Sequence, residues 1–230
     1  MSKINTNITS FIALPDIISL LNMSSGFLAI ISSINNNFEL ASILMIIAII
    51  FDSLDGWVAR KTNRQNDFCF GKNIDSLSDV ISFRIAPAIF IYKCINTPSI
   101  NPIIVIFVSL LIVICGILRL TRYNVITDKL DTQDFIGFPI PGISLILSTY
   151  YLSGLYNHYI ALIICVIISL LQISNIKYPK FDNKLIIGFS SILIIILILP
   201  INITLYNINI PAIILLFFCL SYLIINLIKR

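Results

Sequence analysis

The chain has 230 residues, 58% hydrophobic and 11% charged, with a formal net charge of +4 and a mean hydropathy of +0.99. Soluble domains carry about 45–50% apolar and roughly 25% charged residues. One water-facing globule cannot hide this much apolar surface, so an ordinary soluble domain is excluded and lipid is the expected solvent.

The opening MSKINTNITSFIALP has a single Lys, and its apolar run continues past any cleavage point. It reads as a short cytoplasmic lead into a first span, not as a secretory signal. A bilayer core takes about 20 apolar residues per helix. On that measure spans are predicted near 14–34, 38–58, 76–95, 102–120, 139–156, 159–175, 185–203 and 210–228. The expected fold class is therefore all-α: a polytopic membrane helical bundle of about eight transmembrane helices, in a single domain over 1–230. Pro139 and Pro141 suit the entry to the fifth span, since Pro is at home in a first helical turn.

Basic residues orient the bundle, because cytoplasmic loops collect Lys and Arg. Lys3, Arg60, Lys61, Arg64, Lys72, Arg119, Arg122, Lys129, Lys177, Lys180, Lys184, Lys229 and Arg230 all fall on one side of an eight-span chain. The exceptions are Arg84 and Lys93, in the third span. Both termini are thus expected in the cytoplasm. His158 falls on the opposite side, far from any candidate chemistry. The five cysteines, Cys69, Cys94, Cys115, Cys165 and Cys219, are scattered without a C-x-x-C pair. That spacing argues against a disulfide framework or a zinc site, and the thiols read as small packing residues.

Residues 52–79, DSLDGWVARKTNRQNDFCFGKNIDSLSD, place four aspartates at the cytoplasmic edge of two apolar spans. On a 3.6-residue period Asp52, Asp55, Gly56 and Ala59 share one face. Asp75 and Asp79, four apart, share a face of the next helix, and Gly71 precedes Asp75 by four. Small residues beside the carboxylates let another group approach the backbone. The connecting loop is short, so all four carboxylates can converge. Packed anions repel unless cations lie between them, and hard divalent ions prefer oxygen ligands of this kind. Two such ions suit phosphoryl chemistry. The plain alternative, a solvated loop with capping aspartates, fits Asp67 but not four carboxylates on shared faces at membrane depth.

The stretch resembles the signature of the CDP-alcohol phosphotransferases, D-x-x-D-G-x-x-A-R followed by G-x-x-x-D-x-x-x-D. Every fixed position is present: Asp52, Asp55, Gly56, Ala59, Arg60, Gly71, Asp75 and Asp79. The spacer between Arg60 and Gly71 is slightly long for that family and falls in a loop, where extra length costs little. The resemblance implies the CDP-alcohol phosphotransferase fold, a homodimer, and a reaction in which a CDP-linked lipid gives its phosphatidyl-type group to an alcohol while CMP leaves. By that analogy Asp52, Asp55 and Asp75 bind one divalent metal, Mg²⁺ or Mn²⁺, and Asp52, Asp75 and Asp79 approach a second. Asp79 is the expected catalytic base, and Gly56, Ala59, Arg60 and Gly71 line the CMP site.

Three further stretches resemble the phosphatidylserine and archaetidylserine synthases of that family. They are LPDIISLLNMSSGFLAI at 14–30, CGILRLTRYNV at 115–125 and GFPIPGIS at 137–144. In the first, Pro15 and Asn22 keep the usual pattern while Asp16 and Ser19 replace its Asn and Thr. The resemblance covers about 12–150, the expected catalytic core, with additional helices over 159–228. It implies CDP-diacylglycerol or CDP-archaeol as donor and L-serine as acceptor. Arg119 and Arg122, three apart on one helix face, are candidates for serine or a lipid phosphate, since guanidinium binds carboxylate in a fork. Asn124 is a further candidate. Other acceptors, glycerol 3-phosphate or an inositol phosphate, would leave the reaction unchanged. An ion-coupled transporter using intramembrane Asp is the non-enzyme alternative; it requires inverted repeats and broken helices, which the sequence does not display. Arg84 stands where the serine-synthase pattern usually has Gly. At 100° per residue it lies about 180° from Asp75 and is expected to face away from the aspartates, toward a subunit interface or the Lys93 side.

Overall fold

Helical-length apolar runs become helices in the computed structural model, which describes residues 7–62, 69–126, 135–179, 184–199, 203–206 and 208–228. Lys3, Arg64, Asp67, Lys129, Lys180, Lys229 and Arg230 lie outside the described residues, as does the side chain of Lys184. The helices are α1 (Leu14–Ile34), α2 (Phe38–Lys61), α3 (Phe70–Val80), α4 (Ala86–Cys94), α5 (Pro102–Ile126), α6 (Gly142–Leu152), α7 (His158–Ile173), α8 (Lys184–Ile198) and α9 (Ile210–Ile228). A π segment, Ile81–Ile85, joins α3 to α4 in one rod. The described residues also include a 3-10 turn, Ile8–Ser10, and two short antiparallel pairs, β1 (Phe135–Ile136) with β2 (Lys177–Tyr178) and β3 (Thr204–Leu205) with β4 (Ile208–Asn209).

Helix starts follow local chemistry. Pro15 occupies the first turn of α1, where the Asp16 carboxylate accepts from the Ala13 N–H at 2.8 Å. Asn37 and Asn157 cap α2 and α7 by accepting from backbone N–H groups one turn on. Asn36 adopts φ 58°, which turns the chain tightly between α1 and α2; Asn tolerates that left-handed conformation better than most residues.

Polarity is inverted relative to a soluble protein. The buried face of α1 carries Pro15, Asp16, Ser19, Asn22, Ser25, Gly26, Ala29 and Ser33, while Leu14, Ile17, Leu21, Leu28 and Ile31 point outward. Likewise α5 exposes Ile103, Phe107, Leu110, Ile114 and Leu118 in a continuous apolar stripe. Water would penalise both stripes, and lipid does not. Helices α1 and α5 are each long and apolar enough to cross a membrane. The other apolar helices are shorter; over the predicted span 139–156 the helix is only Gly142–Leu152, bounded by Pro141 and by Gly154 at φ 80°.

The rod over 70–94 is not a uniform α-helix. Pro87 has no N–H to give the Phe83 carbonyl, and the ladder widens just before it. The Ala86 N–H reaches back five residues to Ile81, and Arg84 Nη1 supplies the missing donor to the Phe83 oxygen at 3.0 Å. A π turn advances each residue by less than 100°. The Arg84 side chain is thereby turned into the bundle, against the expectation that it faces a subunit interface or the Lys93 side. It is fully buried.

Two close approaches fix the rod and the loops at the aspartate-bearing end. A Cβ on Gly26 would stand 2.6 Å from the Ser82 Cα, so α1 meets the π segment backbone to backbone. The Arg122 guanidinium donates to the carbonyls of Ile136, Gln172, Ile173 and Ser174 at 2.9–3.0 Å. One cation thus satisfies the last carbonyls of α7 and holds β1 against them.

Gly26→Val is expected to destabilise the protein in detergent by about 1–3 kcal/mol, since backbone cannot move aside as a flexible side chain would; a thermal melt reads this. Arg122→Ala should lower the melting temperature through the loss of charged hydrogen bonds, on the order of 2 kcal/mol.

Candidate active site

The last turns of α2 and the first turns of α3 bring the aspartates together. One carboxylate oxygen from each of Asp52, Asp55 and Asp75 lies within 4.8 Å of the others. Asp79, one turn beyond Asp75, lies in electrostatic range of Asp52 and Asp75. Asp55 and Asp79 are buried, and Asp52 and Asp75 half-buried. The i, i+3 and i, i+4 spacings thus bring Asp52, Asp55 and Asp75 into one group, with Asp79 in electrostatic range of Asp52 and Asp75.

This donor set fits a divalent cation. Ligand oxygens on opposite sides of an ion, each at roughly 2.1–2.5 Å, stand about 4–5 Å apart, which matches the observed spread. Carboxylates this close are strongly repulsive in a partly apolar setting unless positive charge lies among them.

α1 supports the cluster with its polar face. Ser19 Oγ donates to Asp55 Oδ2, and Asn22 Nδ2 donates to Asp79 Oδ1 at 3.3 Å. Ser82 Oγ then donates to the Asn22 carbonyl at 2.9 Å, tying the same turn of α1 to the π segment. In the sequence Ser19 and Asn22 stand out only as positions of the family pattern. The available signal was their spacing with Asp16 on one helix face in an otherwise apolar run.

The remaining candidates fall around the acidic edge. Gly56 and Ala59 are half-buried and Gly71 is buried. A Cβ on Gly56 would stand 3.4 Å from Arg60 Nη1, so the exposed Arg60 side chain folds back along the helix face that carries Asp52 and Asp55. Asn124 donates to Ser76 Oγ at 2.8 Å, and its carbonyl accepts from Lys72 Nζ at 3.1 Å, which joins the end of α5 to α3. Arg119 is buried, with its guanidinium carbon 5.2 Å from the Tyr123 ring centroid and 5.8 Å from that of Phe135. Arg122, on the same face in sequence, is spent on backbone carbonyls. Arg84 reaches the site unannounced: its charge lies in electrostatic range of Asp79 and Arg119. All five cysteines are free thiols.

Comparison with known proteins follows the same outline. The family profile for CDP-alcohol phosphatidyltransferase matches residues 12–175. An archaetidylserine synthase from Methanothermobacter thermautotrophicus is 52% identical over 177 residues, 76% of this chain and 73% of its own. A CDP-diacylglycerol–serine O-phosphatidyltransferase from Methanocaldococcus jannaschii is 38% identical over 224 residues, 97% of this chain and 96% of its own. One of the same name from Bacillus subtilis is 35% identical over 172 residues, 74% of this chain and 92% of its own. With the profile spanning most of the chain and three of the four signature aspartates, Asp52, Asp55 and Asp75, drawn into one cluster, the protein belongs to the CDP-alcohol phosphatidyltransferase family.

Proposed function

We propose that the chain transfers a phosphatidyl-type group, diacyl or archaetidyl, from a CDP-linked lipid to the hydroxyl of L-serine, with release of CMP. The convergence of Asp52, Asp55, Asp75 and Asp79 at one edge of an apolar bundle carries this reading. The names of its relatives support serine as the acceptor. A CDP-lipid is itself divided in the same way, with a charged pyrophosphate that belongs at the acidic edge and tails that belong in the bilayer.

Asp52, Asp55 and Asp75 would hold one divalent ion, and Asp52, Asp75 and Asp79 a second, with Mg²⁺ or Mn²⁺ the ions suited to oxygen ligands. Such ions neutralise pyrophosphate oxygens and stabilise the leaving phosphate. Gly56, Ala59 and Gly71 leave room for CMP against the helix backbones, and Arg60 lies where it can meet a phosphate. Asp79 accepts the proton of the serine hydroxyl. That oxygen bonds to the phosphorus bearing the lipid as the bond from that phosphorus to the CMP oxygen breaks. The Asn22 amide donates to Asp79 Oδ1 and so orients the carboxylate that receives the proton. Arg119 is the acceptor-side cation. Arg122 and Asn124 serve by fixing the loop and α5 around it.

The site is set at the cytoplasmic edge of an eight-span bundle with both termini inside, on the distribution of Lys and Arg. One membrane domain carries it, with the catalytic core over about 12–150 and the helices of 159–228 completing the bundle. The chain acts as a homodimer, as the family resemblance implies.

CMP release by the purified protein should require a divalent cation, stop with EDTA and return with Mn²⁺ or Mg²⁺. Asp79→Asn should lower kcat at least about a hundredfold; full turnover in that variant would remove Asp79 as the base. Across a panel of acceptors with CDP-diacylglycerol or CDP-archaeol, L-serine should give product. Product from glycerol 3-phosphate and none from serine would overturn the acceptor.

A further inference from the structure

We propose that Arg84 and Arg119 form a buried guanidinium pair that binds the anionic group of the acceptor, the serine carboxylate, just beyond Asp79. The proposal rests on the transferase reading above. Arg84 is 0% exposed and Arg119 3%. Nη1 of Arg84 is engaged, donating to the Phe83 and Ile140 carbonyls at 3.0 and 3.2 Å. Its Nε and Nη2 have no hydrogen-bond partner among the described residues, and neither does Nε of Arg119. These are three charged donor positions in a place where unsatisfied neutral donors are already rare.

The arrangement is built, not incidental. Arg84 occupies a slot that exists because residue 116 is Gly: a Cβ there would overlap Arg84 Cδ and Nε. Arg119 is braced by the rings of Tyr123 and Phe135. Contact with ring faces leaves the in-plane N–H edge of a guanidinium available. The two cations lie in each other's electrostatic range, with Asp79 in range of both. One carboxylate cannot balance two guanidiniums, and Asp79 is already shared with Asp52 and the acidic cluster. An incoming anion completes the balance.

The order along the rod identifies that anion. Asp75, Asp79 and Arg84 follow one another from the cytoplasmic end into the bundle. The pyrophosphate belongs with the carboxylate cluster, so the guanidinium pair lies on the acceptor's side of Asp79. In serine two carbons separate the hydroxyl from the carboxylate. A hydroxyl at Asp79 therefore places the carboxylate a short step deeper, toward Arg84 and Arg119. A phosphate-bearing acceptor would present the same chemistry to the pair.

The test compares L-serine, L-serinamide and glycerol 3-phosphate as acceptors for the wild-type protein, Arg84→Met and Arg84→Lys, with thermal melts as the folding control. The wild type should prefer serine to serinamide strongly. Arg84→Met should raise the serine KM at least about tenfold, leave the KM for the CDP-lipid within about twofold, and shrink the serine-to-serinamide preference. If Arg84→Met does not fold, Arg84→Lys keeps the charge in the slot without the fork, and a reduced serine preference is expected. An unchanged serine-to-serinamide ratio in a folded variant, with both acceptors equally affected, overturns the proposal and leaves Arg84 a packing residue. If the wild type uses only glycerol 3-phosphate, the serine reading fails. The pair then stands if Arg84→Met selectively raises the KM for that phosphate and falls if it does not.

Discussion

Holding four carboxylates together at the rim of an apolar bundle is the constraint on which the remainder of the structure depends. Helices α2 and α3 supply the charges, but neither helix alone can hold them. The inward face of α1 is given over to Ser19 and Asn22 for this reason, and the outward face takes the hydrophobic residues. Gly26 then removes the side chain that would separate α1 from the π segment. A conventional apolar contact at that crossing would have pushed the donors out of reach of Asp55 and Asp79.

The electrostatics of the site run in layers along the rod over 70–94. Carboxylates cluster at its N-terminal end, Asp79 forms the boundary, and buried guanidiniums lie beyond. This suits a transfer between two charged molecules. The donor's pyrophosphate needs positive charge among the aspartates, and the acceptor's hydroxyl needs a nearby carboxylate to take its proton. The rod also remains continuous through Pro87, because the π segment and the Arg84 guanidinium absorb the missing hydrogen bond. It lacks the unwound break at membrane depth that an ion-coupled transporter would use.

Much of this was legible in the sequence, because apolar periodicity and short-range spacing are local properties. The predicted span 14–34 coincides with α1, and 210–228 with α9. The shared faces of Asp52 with Asp55 and of Asp75 with Asp79 follow from 3.6 residues per turn. What was not legible depends on contacts distant in the chain. The partner of Ser19 lies 36 residues away and that of Asn22 57. Arg122 reads on a helical wheel as the equal of Arg119, yet its carbonyl partners come from β1 and the end of α7. Arg84 departs from its helical-wheel position for a specific reason: the wheel assumes a uniform 100° step, and the π turn before Pro87 breaks it.

The slot at Gly116 has a consequence for how sequences of this kind can vary. Because the Arg84 side chain fills the volume that a Cβ on residue 116 would need, the two positions are exchangeable only together. An arginine at 84 demands glycine at 116, whereas a chain with glycine at 84 is free to enlarge 116. Covariation between these two sites, on different helices and far apart in sequence, would therefore mark which members of the family carry a second buried guanidinium in range of Asp79.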